Sequence, residues 1–334
     1  MKAIILKDFG STANFILEDN LSVPEPGENE VLIKIKATAF NPIDYQMRQG
    51  KTERKRMHSP ILGRELSGIV VKTGKLVQRY KVGDAVLAAS GSMGSNGTYT
   101  EYISVPELIL AAKPEHISFE EAAAIPSASL TALQCYNRLA ISLNDTIFIS
   151  GAAGGVGMVL IKILVAKGYQ NIIVTAGNEE SKNQLIKAGL KEEQIIDYHN
   201  GNLVQVILDK NEGNQFNHCI DLVGGDMSLV CALIITINGT YTDVTALTTD
   251  IAREELFNKG TVIVNISNYA YSLQNNFQYY GEKLDEVIRL MAESSITPPS
   301  VQVVGPLDPE TVRKAHQLLE DNQTKGKKLV MQVA

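Results

Sequence analysis

The sequence predicts an α/β chain that joins a compact β-barrel to a doubly wound parallel sheet. Three observations predict it. Short apolar strands separated by glycine turns fill the first third of the chain. Strand and helix patterns alternate from about residue 145 to residue 266. A glycine-rich turn, residues 150–157, joins the first strand of that series to its first helix. Closely spaced short strands read as a barrel, and strands alternating with helices as a parallel sheet covered on both faces. A length of 334 residues suits two domains.

In chain order, Val31, Ile33 and Ile35 alternate with Leu32, Lys34 and Lys36, the pattern of a half-buried strand. Residues 68–72 form a second strand that stops at the Thr73-Gly74 turn, and 82–88 enter a third. Residues 90–97 are rich in Gly and Ser and read as an exposed loop. Ser118 and Glu121 fit a capping box at a helix start. The alternating series then runs through strand 146–150, helix 156–167, strand 171–175, and a helix capped by Asn178 and ended by Gly189. Strands at 194–197, 218–223, 240–244 and 261–266 continue it. Helices at 281–293 and 309–320 follow. The closing strand, 328–333, needs a partner and is expected to return to the first domain. The domain bounds read as 1–122 with 268–334 for the barrel, and 123–267 for the parallel sheet.

Composition excludes several classes. The net charge of −6 disfavours a generally basic nucleic-acid surface. No apolar run reaches the roughly 18 residues that span a membrane, and the N-terminus lacks the pattern of a signal peptide. Three cysteines without a CxxC pair favour a reducing, cytoplasmic setting over a disulfide framework. Five scattered histidines and no HExxH give no metal site.

The strongest local signal is the glycine turn. Gly151, Gly154 and Gly157 follow an apolar strand and open an apolar helix. Small residues there, including Ala152, Gly155 and Val156, let the backbone approach a pyrophosphate, and the helix start supplies free amides and a positive dipole. A NAD site places an acid at the end of the second strand, about 20 residues beyond the first glycine. Here Gly177 stands in that place. Ser181 and Lys182 follow, a hydroxyl beside a cation, and suit a 2′-phosphate. The expectation is NADPH.

With these motifs, nearly the whole chain resembles the zinc-free NADPH:quinone oxidoreductases of the medium-chain dehydrogenase/reductase superfamily, whose relatives include zeta-crystallin. Residues 39–48 carry Asn41, Pro42 and Asp44 of its Asn-Pro-x-Asp segment, and 60–68 its Gly-x-Glu-x-x-Gly segment. Residues 81–86, 97–102, 129–133 and 315–320 match further blocks. The resemblance implies a GroES-like barrel made by the two chain ends around a Rossmann domain. It assigns Asn41 to the active site, Thr131 to the nicotinamide amide, and Tyr198 to the adenosine ribose-phosphate. Val223 and Gly224 end the fourth strand of the nucleotide domain, at the edge where open sheets bind ligands.

Zinc-dependent members place a cysteine near Asn41 and a histidine at Arg64. A guanidinium has no lone pair for a metal and an amide nitrogen is a poor ligand, so no metal is expected. Asn41, through its amide, and Tyr45, through its phenol or its ring, are the candidate catalytic residues, although the family's aromatic lies one place later, at Gln46. Asp44 is expected to pair with Arg48, and a lysine among 325–328 to sit in a solvated turn. The basic stretch Lys51, Arg54, Lys55 and Arg56 has no assigned role. The expected activity is hydride transfer from NADPH to a quinone or an α,β-unsaturated carbonyl. A zinc-dependent alcohol dehydrogenase, or a low-turnover NADPH-binding structural or regulatory protein, is the alternative. The strand 261–266 is apolar and uncharged, an unprotected edge that predicts a homodimer.

Overall fold

The computed structural model describes the chain except residues 51–56, 58, 94–96, 200 and 294–295, and the side chains of 92 and 93. The basic stretch 51–56 therefore lies outside the described residues. Two compact units result, Met1–Leu130 with Asn268–Ala334, and Thr131–Ser267. The changeover falls at 130/131 rather than 122/123.

The first unit contains β1 (Ala3–Leu6), β2 (Phe15–Glu18), β3 (Glu30–Ala39), α1 (Pro42–Arg48), β4 (Leu66–Thr73), β5 (Ala85–Ala88), β6 (Tyr102–Pro106), β7 (Leu110–Ala112) and α2 (Phe119–Ala123). The helix α3 (Pro126–Arg138) starts in it and ends in the second unit. The second unit continues with β8 (Ile147–Ser150), α4 (Gly155–Ala166), β9 (Ile172–Ala176), α5 (Glu179–Lys187), β10 (Ile195–Asp197), α6 (Leu203–Lys210), β11 (Phe216–Asp221), α7 (Asp226–Ile234), β12 (Ile235–Asp243), α8 (Asp250–Asn258) and β13 (Val262–Asn265). The chain returns to the first unit with α9 (Tyr269–Leu273), α10 (Gln278–Ala292), β14 (Val301–Pro306), α11 (Pro309–Glu320) and β15 (Lys328–Gln332).

In the first unit one sheet runs β14-β15-β3-β4-β5-β7, with β6 also on β3. Val31, Ile33, Ile35, Ala37 and Ala39 of β3 are all fully buried. Register shifts against β4 at Leu32/Ile33 and Ile35/Ala37 bend the strand, as closure of a curved sheet requires. The closing strand β15 finds its partners in β3, antiparallel, and β14, parallel. Ser118 accepts the Glu121 amide and Glu121 accepts the Ser118 amide, the capping box at α2. Ser90 is buried in a short 3₁₀ turn, against the expectation of an exposed loop.

In the second unit every pairing is parallel and the order is β10-β9-β8-β11-β12-β13. This is the doubly wound Rossmann order, with its switch point between β8 and β11. Phe148, Phe216, Tyr241 and Leu256 fill the space beneath the helices on one face. The strand expected at 240–244 begins earlier, at Ile235. Its register against β11 shifts from Phe216↔Ile235 to His218↔Thr240, and Asn238 takes a positive φ in the bulge, which breaks the apolar pattern. No helix among the described residues is long and apolar enough to cross a membrane.

Candidate active site

The glycine turn leaves β8 at the switch point. Gly151 has φ +65°, a left-handed conformation that suits glycine, and its carbonyl accepts the Gly154 amide at 3.0 Å to close the turn. A Cβ on Gly157 would lie 2.5 Å from Ala152 Cα and 2.6 Å from its carbonyl carbon, so only glycine lets α4 start this close to the loop. The ladder of α4 opens with the Met158 amide on Gly154 O. The amides of Gly155, Val156 and Gly157 stand ahead of that ladder, at the positive end of the helix dipole.

Beside this turn lies the end of β11. Asp221 is fully buried and organises both loops. Its Oδ1 accepts Ser150 Oγ at 2.7 Å and the amides of Val223 and Gly224 at 3.0 and 2.9 Å; its Oδ2 accepts the Tyr241 hydroxyl at 2.9 Å. Val223 is exposed, and its Cγ2 lies where a side chain on Gly151 would fall. The structure thus brings Gly151, Val223 and Gly224 together. Ser150 opens the turn that the sequence marked; Asp221, which binds both loops, was not singled out there.

The end of β9 gathers a second group. The Tyr198 ring lies over Gly177, where a Cβ would come within 2.5 Å of the ring's Cζ. A larger side chain at 177 would therefore have to push this ring aside. Asn178 accepts the Ser181 amide at 2.8 Å and starts α5. Ser181 is buried in that first turn. Lys182 donates to Glu192 at 2.6 Å and lies 3.9 Å from Glu179. The hydrogen bond to Glu192 holds the lysine pKa above its ordinary value. Glu192 is a neighbour the linear pattern did not show.

In the first unit Asn41 precedes α1, and its backbone amide donates to Asp44 Oδ2 at 2.8 Å. Its side chain belongs to a buried polar cluster. Asn41 Nδ2 donates to Glu65 Oε1 at 2.8 Å, and Lys328 Nζ donates to Asn41 Oδ1 at 2.7 Å and to Glu65 Oε1 at 2.6 Å. Glu65 Oε2 accepts the Ser127 amide at 2.7 Å, in the first turn of α3. Lys328 is thus a buried strand residue, not a solvated turn. Arg48 pairs with Glu320 and donates to Gly10 O, so the expected Asp44–Arg48 pair is absent. Burial pushes the Asp44 carboxyl up to about 7, opposed by the Asn41 amide and by Arg64. Tyr45 is half-buried on α1, one turn beyond Asn41. Thr131, half-buried on α3, opens the second unit.

These residues do not fit a zinc ion. Lys328 supplies a buried cation to both Asn41 and Glu65, and the Arg64 guanidinium offers no lone pair. No group of three His, Cys, Asp or Glu among the described residues is arranged to hold a metal. The cysteines are buried and unpaired. His316 is buried against Phe15 and Tyr99, and burial pushes its pKa down to about 3.

Two families match this chain: the alcohol dehydrogenase GroES-like domain over residues 27–115, and the zinc-binding dehydrogenases over residues 190–330. The NADPH-dependent alkenal/one oxidoreductase of Arabidopsis thaliana chloroplasts is 36% identical over 61% of this chain and 54% of its own. The chain spans 52–64% of the length of curated relatives such as this one. Among solved structures, the quinone oxidoreductase from Coxiella burnetii is 30% identical, with a TM-score of 0.86 over 100% of this chain and 99% of that one. The Escherichia coli quinone oxidoreductase complexed with NADPH is 25% identical, with a TM-score of 0.87 over 99% and 100%. The barrel, the doubly wound sheet and these likenesses agree: the chain belongs to the quinone oxidoreductase family of the medium-chain dehydrogenase/reductase superfamily.

Proposed function

We propose that the chain is an NADPH-dependent reductase that delivers hydride to a quinone or an α,β-unsaturated carbonyl without zinc. The observation that carries this reading is the glycine cradle at the sheet's switch point, on a chain alike over its full length to a quinone oxidoreductase. The cradle fits the cofactor: its small residues leave room for a pyrophosphate, and the first-turn amides of α4 face that charge. Gly177 and Tyr198 suit the adenosine ribose, and Val223, Gly224 and Thr131 the nicotinamide end. Bound NADPH supplies the hydride. Asn41 donates a hydrogen bond to the acceptor oxygen, which gains negative charge as the hydride arrives; Tyr45 offers a flat surface or a second donor. Steady-state NADPH oxidation against a quinone and enone panel, before and after exhaustive chelation, tests the reading. Turnover that survives chelation supports it. Loss of turnover with loss of one bound zinc per chain would favour the alcohol dehydrogenase alternative, and cofactor binding without turnover the structural or regulatory one.

Lys182 is read as the partner of the 2′-phosphate, released from Glu192 when the phosphate binds. Lys182→Ala is expected to raise KM for NADPH severalfold and leave KM for NADH nearly unchanged. Equal effects on both cofactors would remove the role.

The assembly is read as a homodimer through β13. That strand has a partner on one side only among the described residues. Val262 is 55% exposed, and Phe257, at the end of the preceding helix, 84%. An uncharged edge of this kind pairs with its own copy across a two-fold axis. Light scattering that returns the mass of a single chain at micromolar concentration would exclude it. Buried free thiols suit a reducing compartment, and the cytoplasm is the proposed location; imaging of a tagged chain reads this directly.

A further inference from the structure

We infer that Lys328 and Glu65 are positioning residues that set which end of the Asn41 amide is offered to the acceptor. The inference rests on the functional reading above, in which Asn41 donates to the acceptor oxygen.

An asparagine amide is nearly symmetric in shape, so packing alone does not choose between its oxygen and its nitrogen. Its partners here do choose. An ammonium only donates, so Lys328 Nζ, donating at 2.7 Å, requires the oxygen end of the amide to face it. A carboxylate only accepts, so Glu65 Oε1 at 2.8 Å requires the nitrogen end. A flipped amide would set N–H against the ammonium and oxygen against the carboxylate. Both hydrogen bonds would become repulsions, in a site where Glu65 is fully buried and Lys328 nearly so. The pair is itself held: Lys328 also donates to Glu65 at 2.6 Å, and the other Glu65 oxygen takes the Ser127 amide at 2.7 Å. One Nδ2 hydrogen is committed to Glu65. The second has no acceptor among the described residues and is the donor left for a substrate oxygen.

The arrangement has a further consequence. The charge that neutralises Glu65 arrives from β15, at the other end of the chain, on a strand paired with Ala37–Ala39 of β3, two residues before Asn41. The C-terminal strand thus completes the site rather than merely closing the sheet.

The test is a mutant cycle on purified full-length protein. It reads kcat and KM with a quinone or enone acceptor, NADPH affinity by fluorescence titration, and melting temperature. Lys328→Met removes the ammonium but keeps the chain length. Glu65→Gln/Lys328→Met removes both charges and carries the test if the single variant fails to fold. Either is expected to lower kcat roughly tenfold, with NADPH affinity unchanged. On an Asn41→Ala background the same changes are expected to cost nothing further, because there is no amide left to orient. Losses that multiply with that of Asn41→Ala would overturn the inference, as would a kcat unchanged in the folded Lys328 variant. A wild-type protein with no turnover on the whole panel would overturn the functional reading, and this one with it. An active wild type with multiplicative losses would overturn the positioning role alone.

Discussion

Gly157→Ala is expected to raise the dissociation constant for NADPH by about two orders of magnitude, equivalent to about 2.7 kcal/mol of binding, and to lower the melting temperature. The added methyl would fall 2.5 and 2.6 Å from backbone atoms of Ala152. Backbone does not swing aside as a flexible side-chain tip does, so α4 must move off the loop and carry its first-turn amides away from the phosphate. Overpacking of this kind costs about 1–3 kcal/mol of stability. Gly154→Ala separates packing from ligand approach. Gly154 has φ −74°, and the nearest atom to a methyl added there is Gly151 O at 3.3 Å. That variant should melt close to wild type yet bind NADPH weakly if, as proposed, this turn meets the pyrophosphate. Fluorescence titration and thermal melts check both. Unchanged affinity in the two variants would mean that the turn is a packing device and holds no phosphate.

Asn41→Ala is expected to lower kcat about 100-fold, the usual effect of removing one preorganised donor to a developing oxyanion, while NADPH affinity stays near wild type. It also strips hydrogen bonds from Glu65 and Lys328, a cost of about 1–3 kcal/mol in stability. Asn41→Asp separates the donor from the rest of the side chain. The carboxylate keeps an acceptor for Lys328 but offers no N–H, and it sets a second negative charge beside Glu65. If donation is what matters, the aspartate variant should be as slow as the alanine variant. An aspartate variant at wild-type speed would end the donor role of Asn41. Single-turnover kinetics at saturating NADPH gives the comparison without interference from cofactor binding.

Much of the fold could be read from the amino-acid order, because the signals that mark it are local. The strand 147–150, the glycine turn and the helix after it are contiguous, and their apolar spacing and glycines suffice to predict a strand, a tight turn and a helix start. The capping residues Ser118 and Asn178 were readable for the same reason, since a cap acts within three residues of itself. The edge strand β13 was legible as an uncharged β-branched run, and its exposure followed from its place at the end of the series.

What the chain order did not show joins residues far apart. Glu65 and Lys328 are separated by 263 positions, and no periodicity ties them. The one available sign was a lysine at the head of an apolar strand, where a buried cation needs a partner. Gly177 looked like the absence of an acid, and the fold shows in addition the ring of Tyr198 laid across it. Lys182 was expected to meet a 2′-phosphate, and the fold sets Glu192 beside it as well. Asp44 and Arg48, adjacent turns of one helix, were expected to pair by spacing alone. Tertiary contacts gave Arg48 to Glu320 and left Asp44 to the Asn41 amide. Local order decides which elements form, because backbone hydrogen bonding and apolar periodicity act over a few residues. Which charges meet inside the protein is decided by sheet pairing, here of β15 with β3, that brings distant stretches of chain within hydrogen-bonding distance.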